Sequence, residues 1–287
     1  MPPRDSPPKR NMLNRSALLM LPAFVMLAIV FLVPLGWFFA QTLFVNTDPT
    51  GLWSQITDVL TSRAMLQAII TTNWISLVVT ATVLLMGYPI AYYLANRNGL
   101  RFTLVVFCIV VPYFTSIIVR TYSWMVLLGR TGLINHALQS AGMIDSPLPL
   151  LYNKTSIVIG MTYVLLPYMV LTLFAAMKSI DRNLLLAARG MGASGPMIFW
   201  RVYLPLSLHG VISGALIVFI LSIGFFITPA LMGGPSDVMV AMLIERSVEI
   251  TLDWTSASVM SLFLLAVTLV LYAIYYRVTD VRRLMGA

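Results

Sequence analysis

Six stretches of this chain are long enough and apolar enough to cross a lipid bilayer, and this limits its fold more than any other feature. They lie at about residues 17–40, 68–95, 102–128, 156–177, 207–232 and 256–277. A span needs roughly 20 mostly apolar residues, because inside hydrocarbon every backbone N–H and C=O must find its partner within its own helix. Composition agrees: 59% of the residues are hydrophobic and 10% charged, with mean hydropathy +0.90, against about 25% charged in a soluble domain. The expected fold class is therefore all-α and integral to the membrane, with six transmembrane helices in one domain over residues 16–287. Residues 1–15, MPPRDSPPKRNMLNR, are too rich in proline and charge to build a core, so a disordered cytoplasmic segment is expected there. The first apolar run is longer than a signal-peptide core and lacks a small-x-small cleavage site, so it reads as a retained helix.

The placement of charge sets the topology. If the N-terminus is cytoplasmic, six spans return the C-terminus to the same side. The inner segments then hold Arg4, Lys9, Arg10, Arg15, Arg97, Arg101, Lys178, Arg182, Arg189, Arg201, Arg277, Arg282 and Arg283. The outer segments hold only Arg63, Arg130, Lys154 and Arg246. Such an excess beside the span ends is the positive-inside pattern, and it accounts for the net charge of +8 without a nucleic-acid partner. The expected location is a bacterial inner membrane with both termini inside. All ten acids fall outside the spans. The outer segments 41–64, 129–155 and 233–255 are long for simple connections and leave room for short helices. Cys108, the single cysteine, excludes an internal disulfide.

One inner segment, about 179–205, breaks the apolar pattern with LLLAARGMGASGPMIFWRVYLP over residues 184–205. Asp181 is placed to cap a helix that LLLAAR continues, and Gly190 and Gly192 stop it. The chain resumes with Ile198, Phe199 and Val202 at helical spacing before Pro205 opens the fifth span. The small residues Ala187, Ala188, Gly192 and Ala193 let a bulky partner approach closely. Physical pattern alone leaves two readings level, a docking surface and a plain elbow between spans.

The spacing AA-x3-G-x9-V-x-LP, here Ala187, Ala188, Gly192, Val202, Leu204 and Pro205, resembles the coupling loop of permease subunits of binding-protein-dependent ABC importers. The resemblance implies the type I permease fold with cytoplasmic coupling helices seated in an ATPase. Where that family commonly carries Glu before the paired alanines, this chain has Leu186. Three further stretches, VPYFTSIIVRTYSWMVLLGRTGLIN (111–135), GFFITPALMGG (224–234) and LDWTSASVMS (252–261), resemble the spermidine/putrescine branch. Related branches carry opine-like compounds, thiamine or ferric iron. The resemblance further implies a second homologous permease subunit, a periplasmic solute-binding protein, and a dimer of cytoplasmic ATPases that uses ATP and magnesium. This chain has no phosphate-binding G-x4-G-K-[ST] loop of its own, and is not expected to be an enzyme.

Candidates for a substrate path follow from charge and aromaticity. Glu245, Glu249 and Asp253 stand at i, i+4 and i+8, which on one helix makes an acidic stripe. Such a stripe guides polycations if it faces a vestibule, while a solvated face or a contact for the binding protein explains each acid singly. Tyr113, Trp124, Tyr163 and Phe225 offer aromatic walls for ammonium groups, set against ordinary packing. Arg120 falls inside the third span, at a cost of roughly 2.5–3.5 kcal/mol on insertion scales, and is expected to brace the bundle through backbone carbonyls or an acid of the partner subunit while snorkelling toward the outer face. Pro112, Pro167 and Pro229 lie within spans and permit kinks. His136 and His209 have no other ligand type at metal-binding spacing. An ion-coupled transporter keeps ionisable groups at mid-membrane, and the absence of acids from the spans counts against it. A membrane enzyme needs paired carboxylates or a His and Cys constellation, and none is visible.

Overall fold

The computed structural model describes residues 21–44 and 49–285, so the expected disordered segment 1–15 lies outside it. The described chain is helical, with the following elements. Helix α1 covers residues 21–44 and includes a π-helical stretch at Ala28–Leu32. It is followed by α2 (Pro49–Thr61), α3 (Arg63–Asn96), α4 (Leu100–Val110), α5 (Ile117–Leu128), α6 (Leu133–Ser140) and α7 (Lys154–Lys178). Then come α8 (Arg182–Gly190), α9 (Gly195–Ile198), α10 (Leu204–Ile223), α11 (Ile227–Met232), α12 (Val240–Glu249) and α13 (Trp254–Met285). The short α2, α6 and α12 fall in the connecting segments 41–64, 129–155 and 233–255.

Three helices make the core. α7 packs along α3, and α10 packs on both. On α3 the buried residues recur every three or four positions, from Ile75 through Val79, Val83 and Gly87 to Ala91 and Leu94, which is the periodicity of one helix face. They meet Ile157, Met161, Leu165, Met169 and Leu173 of α7 and Val218 of α10. Between membrane helices the apolar effect is weak, so close approach through small residues does the work. Gly210 of α10 shows this, since a Cβ there would collide with Ala176 on α7. Pro89 in α3 and Pro167 in α7 lie inside helices that run through them.

Five described helices are long and apolar enough to cross a membrane, and one bent pair makes a sixth when its two arms are counted as a single span. Two expected spans therefore need correction. The third, expected as continuous over 102–128, turns by 105° between Leu100–Phe114 and Ile117–Ser140. After α4 the chain tightens into a 3-10 turn at Val111–Phe114. Thr115 caps that turn, its N–H and its hydroxyl both donating to Pro112 O, and Ser116 leaves the helical region before α5 begins. The fifth, expected over 207–232, ends at Ile223, and α11 starts a separate short helix after Gly224. α11 packs on α5 and α7, with Thr121 and Thr228 sharing a 3.1 Å hydroxyl hydrogen bond. α1 buries nothing among residues 21–40 and meets α13 through Phe38 and Trp254, whose ring centroids are 6.3 Å apart.

Candidate functional site

Two regions hold the residues singled out from sequence. The first joins α7 to α10. Asp181 caps α8, its carboxylate accepting from Asn183 N–H at 2.9 Å. The helix stops at Gly192, whose φ of +82° is the left-handed conformation that glycine adopts without strain. Three hydrogen bonds close the turn: Met191 N–H to Ala187 O, Gly192 N–H to Arg189 O and Ala193 N–H to Ala188 O. Ala188 and Ile198 are buried, Ala193, Phe199, Val202 and Leu204 half-buried, and Ala187 and Pro205 exposed. The expected helix, turn and helix is present, with one correction. Pro205 does not open the span, because α9 continues through a π-helical stretch at Phe199–Tyr203 into α10.

The segment is fastened to the bundle by rings. Phe199 packs edge-on to Tyr88 and Tyr92 at 6.2 and 5.6 Å and stacks with Tyr203 at 6.2 Å. Tyr88 shares a 2.9 Å hydrogen bond with Ser207, and Asn96 donates to the Tyr203 hydroxyl at 3.4 Å. On its outward side the segment leaves Leu186, Met191 and Trp200 bare, at 59%, 83% and 66% exposure. Trp200 lines an apolar groove with Leu84, Leu85, Pro89 and Leu208 of the spans, whereas Leu186 and Met191 stand at the loop-bearing end, where bare apolar side chains call for a cover.

The second region is the bend between α4 and α5. An open cleft of about 420 Å³ there is lined by Pro112, Thr115, Arg120, Ser123, Trp124 and Tyr163, among others. Behind it a smaller space of about 110 Å³ is lined by Tyr113, Arg120, Tyr168 and Phe225 with apolar neighbours. Arg120 borders both. The structure thus brings Tyr113, Trp124, Tyr163 and Phe225 together from three separate stretches of sequence. Trp124 and Tyr163 lie edge-on at 5.7 Å, and the Tyr168 hydroxyl donates to that of Tyr113 at 3.3 Å. Sequence reasoning missed Tyr168. It lies five positions after Tyr163, off the regular helical repeat, and gave no signal. Nor does Arg120 brace a backbone carbonyl among the described residues: its Nε is buried and without a hydrogen-bond partner.

The acidic stripe is broken. Glu245 and Glu249 share α12, but that helix ends at Glu249, and Leu252 turns the chain back with φ +53°. Asp253 instead caps α13, accepting from Ser256 N–H at 3.0 Å, and the Ser256 hydrogen bonds hold its carboxyl below the usual range. Glu245 is pushed up, first by burial and then by the charge and hydrogen bond of Glu249. None of the three lines either cleft. A further acid that the sequence reading passed over, Asp237, is buried where it accepts from Gly234 N–H at 3.1 Å. The G-G-P-S-D turn was its signal. Among the described residues no group of three or more His, Cys, Asp or Glu could hold a metal.

Residues 87–282 match the family described as binding-protein-dependent transport system inner membrane component. The chain belongs to that family. The permease is 34% identical over 200 residues, 70% of each chain, to the spermidine/putrescine transport system permease protein PotB of Haemophilus influenzae. To PotB of Escherichia coli K12 it is 32% identical over 202 residues, covering 70% of this permease and 74% of that protein. Its fold matches a chain of a bacterial ABC transporter involved in the import of alginate, with TM-score 0.70, 18% identity, and coverage of 95% and 96% of the two chains. The all-helical type I permease fold is thus the architecture of this chain, and the matched region contains both the α8–α9 segment and the Arg120 cleft.

Proposed function

We propose that this permease is one of two homologous transmembrane subunits of an ATP-driven importer of polyamines of the putrescine and spermidine class. The observation that carries the cargo is the likeness to PotB proteins across 70% of both chains. The gathering of Tyr113, Trp124, Tyr163 and Phe225 beside the bend supports it, because aromatic faces attract ammonium groups. On this reading a periplasmic binding protein delivers the substrate, both termini are cytoplasmic, and the permease is a conduit whose energy comes from a dimer of ATPases using ATP and magnesium. The α8–α9 segment is the grip, with Leu186 and Met191 as the apolar surface that the ATPase covers and Ala187, Ala188, Gly192 and Ala193 as the place of close approach.

Uptake of labelled putrescine and spermidine, in cells with and without the gene, tests the cargo. Loss on deletion and return on complementation are expected. Unchanged uptake overturns the polyamine reading, and competition by unlabelled opines, thiamine or ferric iron then points to the replacement. The grip is tested apart from cargo by Gly192→Asp. Nothing in this chain lies within 4 Å of a Cβ at that position, and its φ of +82° strains any side chain placed there, so the variant is expected to reach the membrane with a distorted turn and to recover less than a tenth of the ATPase in a mild-detergent pull-down. Recovery at the wild-type level would remove α8–α9 as the grip.

A further inference from the structure

Arg120 occupies a position that this chain does not explain by itself. Its neighbours across the smaller space are Val164, Leu165 and Tyr168, which lie about the middle of α7, Lys154–Lys178. At 1.5 Å per residue that is about 15–21 Å from either end of the helix. A guanidinium at such depth needs a carboxylate, a ring of carbonyls or water. Its Nε is buried with no hydrogen bond, no carboxylate of the described residues pairs with it, and the rest of the half-exposed side chain borders the open cleft. The surface beside it on α4 and α5 is apolar and open, with Phe107, Phe114, Val119 and Val126 all more than half exposed. Lipid tails can cover those side chains and cannot satisfy the charge.

On the proposed reading an ammonium substrate passes the same rings, and a bare guanidinium there repels it. Neutralisation must come from outside this chain. The described residues of a second copy do not provide it. Subunits related by a two-fold axis along the membrane normal meet at equal depth, so one Arg120 would meet the other copy's mid-membrane residues. Among the described residues the acids lie away from that depth: Asp58, Asp145, Asp237, Glu245, Glu249 and Asp253 in the connecting segments of one side, and Asp181 toward the other.

We infer that Arg120 is an inter-subunit latch, pairing with an aspartate or glutamate set within a span of a second, non-identical permease subunit that closes over the α4–α5 bend. This rests on the two-permease reading. The pair makes the heterodimer obligatory and leaves the aromatic wall free of net charge.

The test uses the whole transporter, purified in mild detergent through a tag on this chain. The wild type is expected to recover a distinct permease and no second, differently tagged copy of itself. Arg120→Glu is expected to lower recovery of that permease about tenfold, with Arg120→Gln as a milder variant if the first fails to reach the membrane. Each acid within the spans of the recovered subunit is then changed to lysine and co-expressed with Arg120→Glu. One such exchange is expected to restore recovery, which a purely structural role for Arg120 would not produce. Wild-type recovery with both Arg120 variants, failure of every exchange, or co-purification of two tagged copies of this chain would overturn the latch. The readout is assembly, so a wrong cargo leaves it standing. Absence of any second permease from the wild-type preparation removes the two-permease reading and the latch together.

Discussion

Helix α7 and the α4–α5 pair are alike in sequence: each is an apolar run of more than 20 residues with a proline near its middle. In the fold they are opposites. α7 runs straight through Pro167, with α3, α10 and α11 packed around it, while α4 stops at a 3-10 turn that contains Pro112 and the chain swings by 105°. A proline removes one donor and crowds one carbonyl in either place. What differs is the surroundings: α4 has no fully buried residue along its length and meets the core only through the half-buried Phe102, Val105, Val106 and Ile109, so the next turn is held in line far less firmly than in α7. Proline thus marks where a membrane helix is free to break, and packing settles whether it does.

Three experiments press on this contrast. The largest effect is expected from undoing the packing around α7. Gly210→Leu drives a branched side chain into Ala176, an overpacking worth about 1–3 kcal/mol or more, and should sharply lower the amount of intact protein recovered from membranes. If Gly210→Leu accumulates normally, close contact with α7 is not what keeps that helix straight. An intermediate effect is expected from the prolines. Pro112→Ala restores a backbone donor at the bend and should cut uptake several-fold at normal membrane levels, whereas Pro167→Ala should stay within about twofold in both. Equal effects would erase the distinction drawn between the two spans.

The smallest effect concerns pH at α12. A carboxyl held above its ordinary value binds its proton more readily folded than unfolded, so its contribution to stability declines as pH rises through that window. Glu245 is such a group. Glu245→Gln should therefore raise the melting temperature in detergent slightly above about pH 5, with the difference disappearing below about pH 4. Asp253 has the opposite sign: its capping contribution is present above the ordinary carboxylate range and is lost as pH falls through its lowered value. A melting temperature of Glu245→Gln that tracks the wild type at every pH would mean that Glu245 is not held above its ordinary range.

Much of this was legible because it depends on local chemistry. The spans follow from length and hydropathy, and the α8–α9 turn follows from Asp181 as a cap and Gly192 as a stop. The break at Thr115 and Ser116 was not legible, since hydropathy averages treat a bent apolar segment and a straight one alike. The early end of α10 at Ile223 had a signal in Gly224, but the apolar residues after it carried the expected span too far. The acidic stripe failed for a related reason. Spacing from Glu245 to Asp253 implies one face only while the helix continues, and the cap that Asp253 makes for α13 shows that a new helix had begun. The clustering of four aromatics around Arg120 was open to suspicion residue by residue, but their meeting point depends on the bend.

The unbroken run from α9 through the π-helical stretch into α10 has a mechanical consequence. Residues Gly195–Ile223 form one rod of 29 residues, about 43 Å long, clamped near one end by the rings of Tyr88, Tyr92, Phe199 and Tyr203. Such a rod is a lever with its fulcrum beside the point of effort. A rotation of about 5° at the clamp carries its far tip about 3 Å, which is enough to reshape the gap beside Phe225 without stretching a single backbone hydrogen bond along the way.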